Sequence, residues 1–217
     1  MNGLFPDNTY GNESGGDPAN IPDLTYEEYL DFHRRYYHPV NSYIYLYGDM
    51  DIEERLEWMD QHYLRDFPAI ELDSSIPLQK PFTRMKKLET EHAVSENEDS
   101  DEKTYYAFAA AMDVTLDVKV CKAFEIMAYV LAEMPGAPLK QALLDAGIGT
   151  DIDVDFCDIL RQSYFALTTQ NAKAGDRQRF YDTIHSTLQE QVKQGLDQKA
   201  LEAAINAMEF KEREADY

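Results

Sequence analysis

The alternation of apolar and polar positions in the first third of the chain predicts a helix followed by a strand. The helix opens with a capping box made by Thr25 and Glu28, and Pro39 stops it. In the next segment, SYIYLYGDM, Ile44 and Leu46 alternate with tyrosines, which predicts a strand. The apolar stripe of the helix has helical spacing and is mostly aromatic: Tyr26, Tyr29, Leu30, His33 and Tyr37.

The following positions predict a second helix and then a linker. Asp51 with Glu54 opens this helix in the same capped manner. Three prolines between Phe67 and Phe82, with few periodic apolar residues, indicate a linker between two larger units. The buried stripe predicted for the second helix is Ile52, Leu56, Met59 and Tyr63.

Beyond the linker, strand-like and helical segments are interspersed. MKKLETEHAV, TYYAFAAAMD, TDIDVDF and RQSYFALTTQ have strand character, and PLKQALLDAG is a short helix closed by Gly147. Another helix ends at Gly195, and the last one opens at Asp197. We therefore expect an α+β fold of α/β layers, with a mixed or antiparallel sheet packed with long helices. Three helical stripes support this: Leu116, Val120, Phe124, Met127, Leu131 and Met134; Phe180, Ile184, Leu188 and Val192; Leu201, Ala204, Ile205 and Met208.

The composition excludes several classes of partner. A formal net charge of −21 argues against nucleic acid and against an anionic membrane surface, because both would be repelled. The charge is compatible with attraction to basic peptides, although solubility alone explains it as well. Two cysteines form no disulfide framework, and no apolar run reaches the length of a membrane span. A cytoplasmic protein is the expectation.

The segment FHRRYYHPVNS places two of the five histidines close together. Two zinc ligands on one helix need positions i and i+4 so that both rings point the same way. His33 and His38 are five positions apart, so at about 100° per residue they diverge by roughly 140°. His33 shares the stripe of the helix, and we expect it to be a packed structural residue rather than a metal ligand.

The other candidate motifs do not form a site. Asp151, Asp153 and Asp155 resemble the start of a calcium loop, but Phe156 and Gln162 stand where such a loop needs Gly and Glu. The acidic stretch from residue 96 to residue 102 fixes no coordination geometry, and no phosphate-binding loop, GxSxG elbow, H-E-x-x-H or H-x-x-E-H occurs. We therefore assign no catalytic and no metal-binding residue to this chain, and its substrate-binding residues are left open.

Several segments together resemble one family of enzymes. The combination of SGGDP, YYHPVNS and YGDMD, followed by PLKQALLDAGIGTDIDVDF, resembles the pitrilysin/insulinase-type zinc metallopeptidases, specifically their presequence-protease branch. The resemblance covers essentially the whole chain. Since the zinc motif of that family is missing, the chain resembles an internal fragment. Its start in a loop and its last helix, which runs into KEREADY without a stop signal, favour the same interpretation, although a frayed natural terminus explains the C-terminal end almost as well.

The resemblance implies a large peptidase of four related units that enclose a chamber for unfolded peptides. In that family, zinc sits on an H-x-x-E-H motif, whose Glu acts as general base on the zinc-bound water. The resemblance implies that residues 1–75 are the C-terminal part of the first unit, 76–88 a linker, and 89–217 the N-terminal part of a second, non-catalytic unit. This segment would scaffold and line the chamber, with the remaining units and peptide substrates as partners. Zinc would bind in the parent and not in this fragment.

Two other functions remain open. One is a non-catalytic structural subunit of the same family, which an upstream sequence with a degraded zinc motif would support. The other is a free-standing peptide-binding module, which would bind extended peptides without metal.

Overall fold

A computed structural model describes residues 1–96, 100, 102–114 and 117–214. Leu116, most of the acidic stretch between residues 96 and 102, and the last three residues of KEREADY lie outside these ranges. The described chain divides into two compact units. The first comprises Met1–Asn2 and Asn8–Pro77, and the second comprises Gly3–Asp7 and Leu78–Tyr217.

The first unit contains the two predicted helices, α1 (Tyr26–Tyr36) and α2 (Ile52–His62). The predicted capping box is confirmed, because the Glu28 amide donates to Thr25 Oγ1 over 3.2 Å and the Thr25 amide donates to the Glu28 carboxylate over 2.9 Å. The bond from the Thr25 amide, and a second bond that the Thr25 hydroxyl donates to the Glu28 carboxylate over 2.7 Å, hold the pKa of the Glu28 carboxyl below its usual value. The Asp51 carboxylate caps α2 in the same way by accepting from the Glu54 amide.

Neither helix of the first unit buries a residue. The aromatic stripe of α1 is exposed, with Tyr26 at 76% and Tyr37 at 68% of their accessible surface. On α2, Ile52 and Leu56 are also exposed. The amphipathic faces are formed as predicted, but within the described chain no surface covers them. The burial predicted for the stripe of α2 is therefore wrong for this chain.

Two predicted strands are not formed. Residues 43–47 are extended without ladder pairing, and Tyr43, Tyr45 and Tyr47 are largely exposed. Residues 85–94 also lack ladder pairing. A strand is stabilised by hydrogen bonds to a neighbour, and in the described part of the chain neither segment has one. Alternation alone therefore predicted the extended backbone correctly and the sheet wrongly.

The second unit is built on a three-stranded antiparallel sheet. Its strands are β1 (Thr104–Val114), β2 (Asp151–Cys157) and β3 (Gln162–Ala172), in the order β1-β3-β2. In the register, Val154 and Phe108 both lie opposite Leu167 on one face. Three of the predicted strands are thus confirmed, and the α+β class of layered sheet and helices holds.

Four helices complete the second unit: α3 (Val118–Ala128), α4 (Pro138–Asp145), α5 (Arg177–Gln194) and α6 (Gln198–Glu214). A π-helical turn, Tyr129–Glu133, extends α3. Gly147, with φ +64°, follows α4 as predicted. The stripe of α5 is only partly buried, because Val192 at its end is 86% exposed.

The core lies between one face of the sheet and the helices. Tyr106 stacks on Phe180 there, with ring centroids 5.5 Å apart. The opposite face of β2 carries exposed aspartates, as expected for a strand with one solvated face. The core consists of Tyr106, Leu131, Ala132, Leu139, Leu143, Ile148, Ile152, Leu167, Ala172, Phe180 and Ile184.

The N-terminal segment Gly3–Asp7 belongs to the second unit. Phe5 is fully buried, and its ring meets the edge of the Tyr164 ring at 6.4 Å. The Gln79 side-chain amide donates to the Asp7 carboxylate over 2.6 Å, and the Asp7 amide donates back to Gln79 over 3.0 Å. Gln79 also donates its backbone N–H to the side chain of buried Gln162 over 2.6 Å. The sequence predicted only a loop here.

Candidate functional site

The two histidines of FHRRYYHPVNS have separate structural contacts. His33 is exposed and stacks on Tyr37, with ring centroids 4.7 Å apart and an interplanar angle of 11°. His38 Nδ1 accepts a hydrogen bond from the Val40 amide over 3.2 Å, and its ring meets Phe67 edge-on at 5.4 Å. His33 is therefore packed against Tyr37, a member of the same helical stripe, while its side chain stays exposed.

The Val40 bond also determines the tautomer of His38. A ring nitrogen that accepts carries no proton, so the neutral imidazole has its proton on Nε2. That nitrogen is buried and has no hydrogen-bond partner among the described residues. One ring nitrogen of His38 thus stabilises the turn at Val40, and the other ring nitrogen carries the N–H group.

Metal-binding side chains are dispersed. Among the described residues, no three His, Cys, Asp or Glu side chains lie close enough together to hold a metal ion. Asp151, Asp153 and Asp155 alternate along the exposed face of β2, and Asp155 instead accepts a hydrogen bond from the Tyr164 hydroxyl over 2.6 Å. Cys121 and Cys157 are free thiols. The part of the chain that the structure describes therefore does not supply the group of ligands that a zinc site needs.

The second unit contains a cavity of about 410 Å³ that the sequence did not indicate. The end of α3, its π-helical turn, β2 and α6 form the walls. Apolar side chains and carboxylates share this lining, with one lysine. The lining residues are Glu125, Tyr129, Glu133, Val154, Asp155, Phe156, Ala207, Met208 and Lys211.

Lys122 joins two of these walls. Its ammonium group contacts Glu125 of α3 at 2.8 Å and Glu212 of α6 at 2.6 Å. The hydrogen bonds to Glu125 and Glu212 raise the pKa of the Lys122 ammonium above its usual value, and the Lys122 bond holds the pKa of the Glu212 carboxyl below its own. The pair of contacts fixes α6 beside α3 and leaves Lys122 unavailable to the other carboxylates.

Glu133 is one of the carboxylates that line the cavity. The residue is exposed as a whole, but packing around its carboxyl group removes water and raises the pKa of that group. Lys211 opposes this shift, whereas the charges of Asp153, Glu125 and Asp155 add to it. The electrostatic surroundings of Glu133 thus combine one lysine with several more distant carboxylates.

The sequence missed this cavity because its residues come from three distant segments. Glu125 and Glu133 looked like polar positions of a helix, and Asp155 like a solvated strand face. The predicted apolar stripe of the α3 helix ran on to Met134. It did not indicate that the helix widens into a π-helical turn at Tyr129. Only the tertiary arrangement brings these positions together.

No helix within the described ranges is long and apolar enough to span a bilayer.

Comparison with known proteins gives consistent matches. The family described as peptidase M16 inactive domain matches residues 23–208. The chain is 42% identical over 214 residues to protein HypA of Clostridium perfringens, covering 99% of this chain and 22% of that protein. It is 34% identical over 215 residues to presequence protease 1 of Arabidopsis thaliana, covering 97% of this chain and 20% of that protein. The chain thus spans about a fifth of the length of these curated relatives.

Solved structures agree on the fold. A crystal structure of a peptidase M16 inactive domain from Pseudomonas fluorescens superimposes with a TM-score of 0.70 at 19% identity, covering 99% of this chain and 50% of that one. A protease from Helicobacter pylori superimposes with a TM-score of 0.57 at 16% identity, covering 89% of this chain and 46% of that one.

Proposed function

Since the chain belongs to the peptidase M16 inactive-domain family, as its match over residues 23–208 establishes, we propose that it is a non-catalytic internal segment of a zinc-dependent metalloendopeptidase. The parent would degrade unfolded peptides in an enclosed chamber, and this segment would scaffold and line that chamber. The family match carries the proposal. The presequence proteases among the relatives, which are about five times longer, support the peptidase parent.

The domain division expected from the resemblance is part of this proposal. Residues 1–75 would be the C-terminal part of a first unit, 76–88 a linker, and 89–217 the N-terminal part of a second unit. The exposed stripes of α1 and α2 support it, because an amphipathic helix is stable when its apolar face is covered. The unpaired tyrosine-rich segment 43–47 fits as a strand that pairs with a neighbour supplied by the rest of that unit.

The catalytic chemistry would come from outside these residues. Zinc bound in the parent would activate a water molecule for attack on the peptide bond. The part of the described residues would be mechanical, with the sheet and the helices of the second unit serving as a wall of the chamber. A cytoplasmic location belongs to the same proposal, and the two free cysteines support it.

The decisive experiment is zinc analysis and peptide cleavage on the 217-residue chain beside its parent. We expect one zinc per parent molecule with endopeptidase activity, and neither in the chain alone. Stoichiometric zinc with activity in the isolated chain would overturn the proposal. If the parent has neither zinc nor activity, the alternative of a structural subunit replaces the proposal. Peptide binding by the chain, in the absence of any longer parent, would favour the peptide-binding module.

A further inference from the structure

Residues 43–47 of the first unit form an extended segment with an unpaired backbone. Among the described residues, none forms a backbone hydrogen bond with this segment. The N–H and C=O groups of such an edge are a template for pairing with another strand. We propose that in the 217-residue chain this segment pairs with the same segment of a second copy, so that the chain forms a dimer. The inference concerns the chain by itself and does not rest on the proposed parent.

The side chains of the segment are exposed and uncharged. Tyr45 and Tyr47 are 84% and 85% exposed, and Tyr43 is fully exposed. From Ser42 to Gly48 the sequence contains no charged residue and no proline. Natural edge strands are protected against pairing by lysines, prolines or bulges. The segment therefore lacks the sequence features that prevent edge-to-edge association.

The tyrosines form one aromatic surface beside this backbone edge. Alternate residues of an extended chain point to the same face, and the three tyrosines occupy alternate positions. The rings of Tyr45 and Tyr47 are stacked, with centroids 6.5 Å apart and an interplanar angle of 11°. A second copy would thus meet both unpaired backbone groups and aromatic rings along the same segment.

Side-chain pairing and charge favour an antiparallel arrangement centred on Tyr45. In that register Tyr45 lies opposite its own copy and Tyr43 lies opposite Tyr47, so every ring has an aromatic cross-strand neighbour. Asp49 lies opposite Asn41, whereas a parallel arrangement in register would place each Asp49 beside its own copy. Like charges directly opposite one another destabilise a strand pair. The antiparallel pair also has the two-fold symmetry of a closed dimer.

The available area predicts a weak dimer. At roughly 200 Å² for each aromatic side chain, the tyrosines of two copies would bury about 1,000 Å² in total. Stable complexes bury about 1,200–2,000 Å². The net charge of −21 on each copy also opposes association. Dimerisation should therefore depend on concentration, and it should strengthen with added salt because salt screens the repulsion between the copies.

The test is sedimentation velocity on the 217-residue chain over a wide range of concentrations, with hydrogen exchange on the same samples. We expect a reversible dimer that strengthens with salt. Alternate amides of residues 43–47 should become protected as the concentration rises, because each strand bonds its neighbour through one edge. The exchange rates of α1 and α2 should not change with concentration.

A matched pair of variants separates strand pairing from the general attraction of exposed aromatic side chains. Tyr45→Lys removes the central aromatic pair and places two like charges opposite each other, so it should weaken dimerisation about tenfold. Tyr26→Lys makes the same change at an exposed tyrosine of α1 and should leave dimerisation unchanged. Both side chains are exposed, so both variants should fold, and circular dichroism checks this.

Three results would overturn the inference. The first is a chain that stays monomeric at every concentration, and the second is equal association of Tyr45→Lys and Tyr26→Lys. The third is protection of residues 43–47 that does not depend on concentration, which would show that another segment of the same chain pairs with them. Zinc and cleavage are not measured in this test, so the proposed parent activity stands or fails independently.

Discussion

At Gly149 both the backbone conformation and the surrounding atoms disfavour any side chain. Its φ of +72° is a conformation that L side chains rarely adopt. A β-carbon there would also meet the side chain of Thr169 and lie 2.5 Å from the Gln170 carbonyl oxygen. Thr169 is itself fully buried and donates its hydroxyl to the Ile148 carbonyl over 3.2 Å. The turn before β2 therefore cannot move away easily.

Gly149→Ala should consequently destabilise the chain much more than Gly147→Ala. Gly147 has a similar φ of +64° but open space around it, so alanine there costs about 1–2 kcal/mol for the left-handed backbone alone. At Gly149 overpacking adds about 1–3 kcal/mol. Urea unfolding of both variants measures the difference. Equal losses would show that the contact with Thr169 relaxes without cost.

Glu133 should make stability depend on pH. Its carboxyl pKa is raised above 4.5, so the folded chain binds the proton more tightly than the unfolded chain. The stabilising contribution is present below the unfolded pKa and is lost as the pH rises through the folded one. Glu133→Gln should therefore gain stability relative to the wild type between about pH 4 and about pH 8. We expect a few tenths of a kcal/mol, because solvent screens this exposed group.

Unfolding free energies at both pH values check this prediction. The same comparison with Glu202→Gln subtracts the effect of removing one negative charge from a strongly acidic chain. A relative loss of stability by Glu133→Gln at the higher pH would contradict the sign.

Helix α4 shows how the tertiary structure selects among equivalent apolar positions. Leu143 is fully buried in the core, whereas its neighbour Leu144 is 40% exposed. Both leucines have the same helix propensity, so an alanine substitution changes intrinsic helix stability equally at the two positions. The difference between them is burial.

Leu143→Ala should cost about 2–5 kcal/mol, because it leaves a cavity between α4 and the sheet. Leu144→Ala should cost well under half of that. Thermal or denaturant unfolding followed by circular dichroism distinguishes the two. Similar losses of stability in the two variants would mean that the core relaxes to fill the space left by the Leu143 side chain.

Elements were predictable to different degrees for a physical reason. Helices α1 to α6 were found from caps, stripes and glycine stops, all of which are local signals. The strand predicted at residues 43–47 and the one at 85–94 failed because pairing is a property of two segments. Val192 belongs to the stripe that predicted α5 and is nevertheless exposed, since a stripe indicates which residues could be buried and not how far the neighbouring layer reaches.

At the scale of the whole molecule, the two units differ in what holds them. The second has a core between sheet and helices, while α1 and α2 of the first bury no residue. Each of these helices has 11 residues, and helices shorter than about 12–15 residues are marginal in water without tertiary packing.

Hydrogen exchange should therefore separate the units in the isolated chain. Backbone amides of α1 and α2 should exchange at least about a hundredfold faster than those of β3, because they open without breaking a core. In the proposed parent, α1 and α2 should become protected. Strong protection of α1 in the isolated chain would show that its stripe is covered there after all.

The sequence by itself determined the helices, three of the strands and the family, because caps, periodicity and motif order are all encoded locally. It could not locate the cavity, since Glu133, Asp155 and Lys211 come from segments that meet only in the folded chain. Nor could it place Phe5, whose burial depends on a hydrogen-bonded network that reaches Gln79 and Gln162. Which faces are covered, which strands pair and which charges face one another are relations between distant segments, and only the tertiary structure decides them.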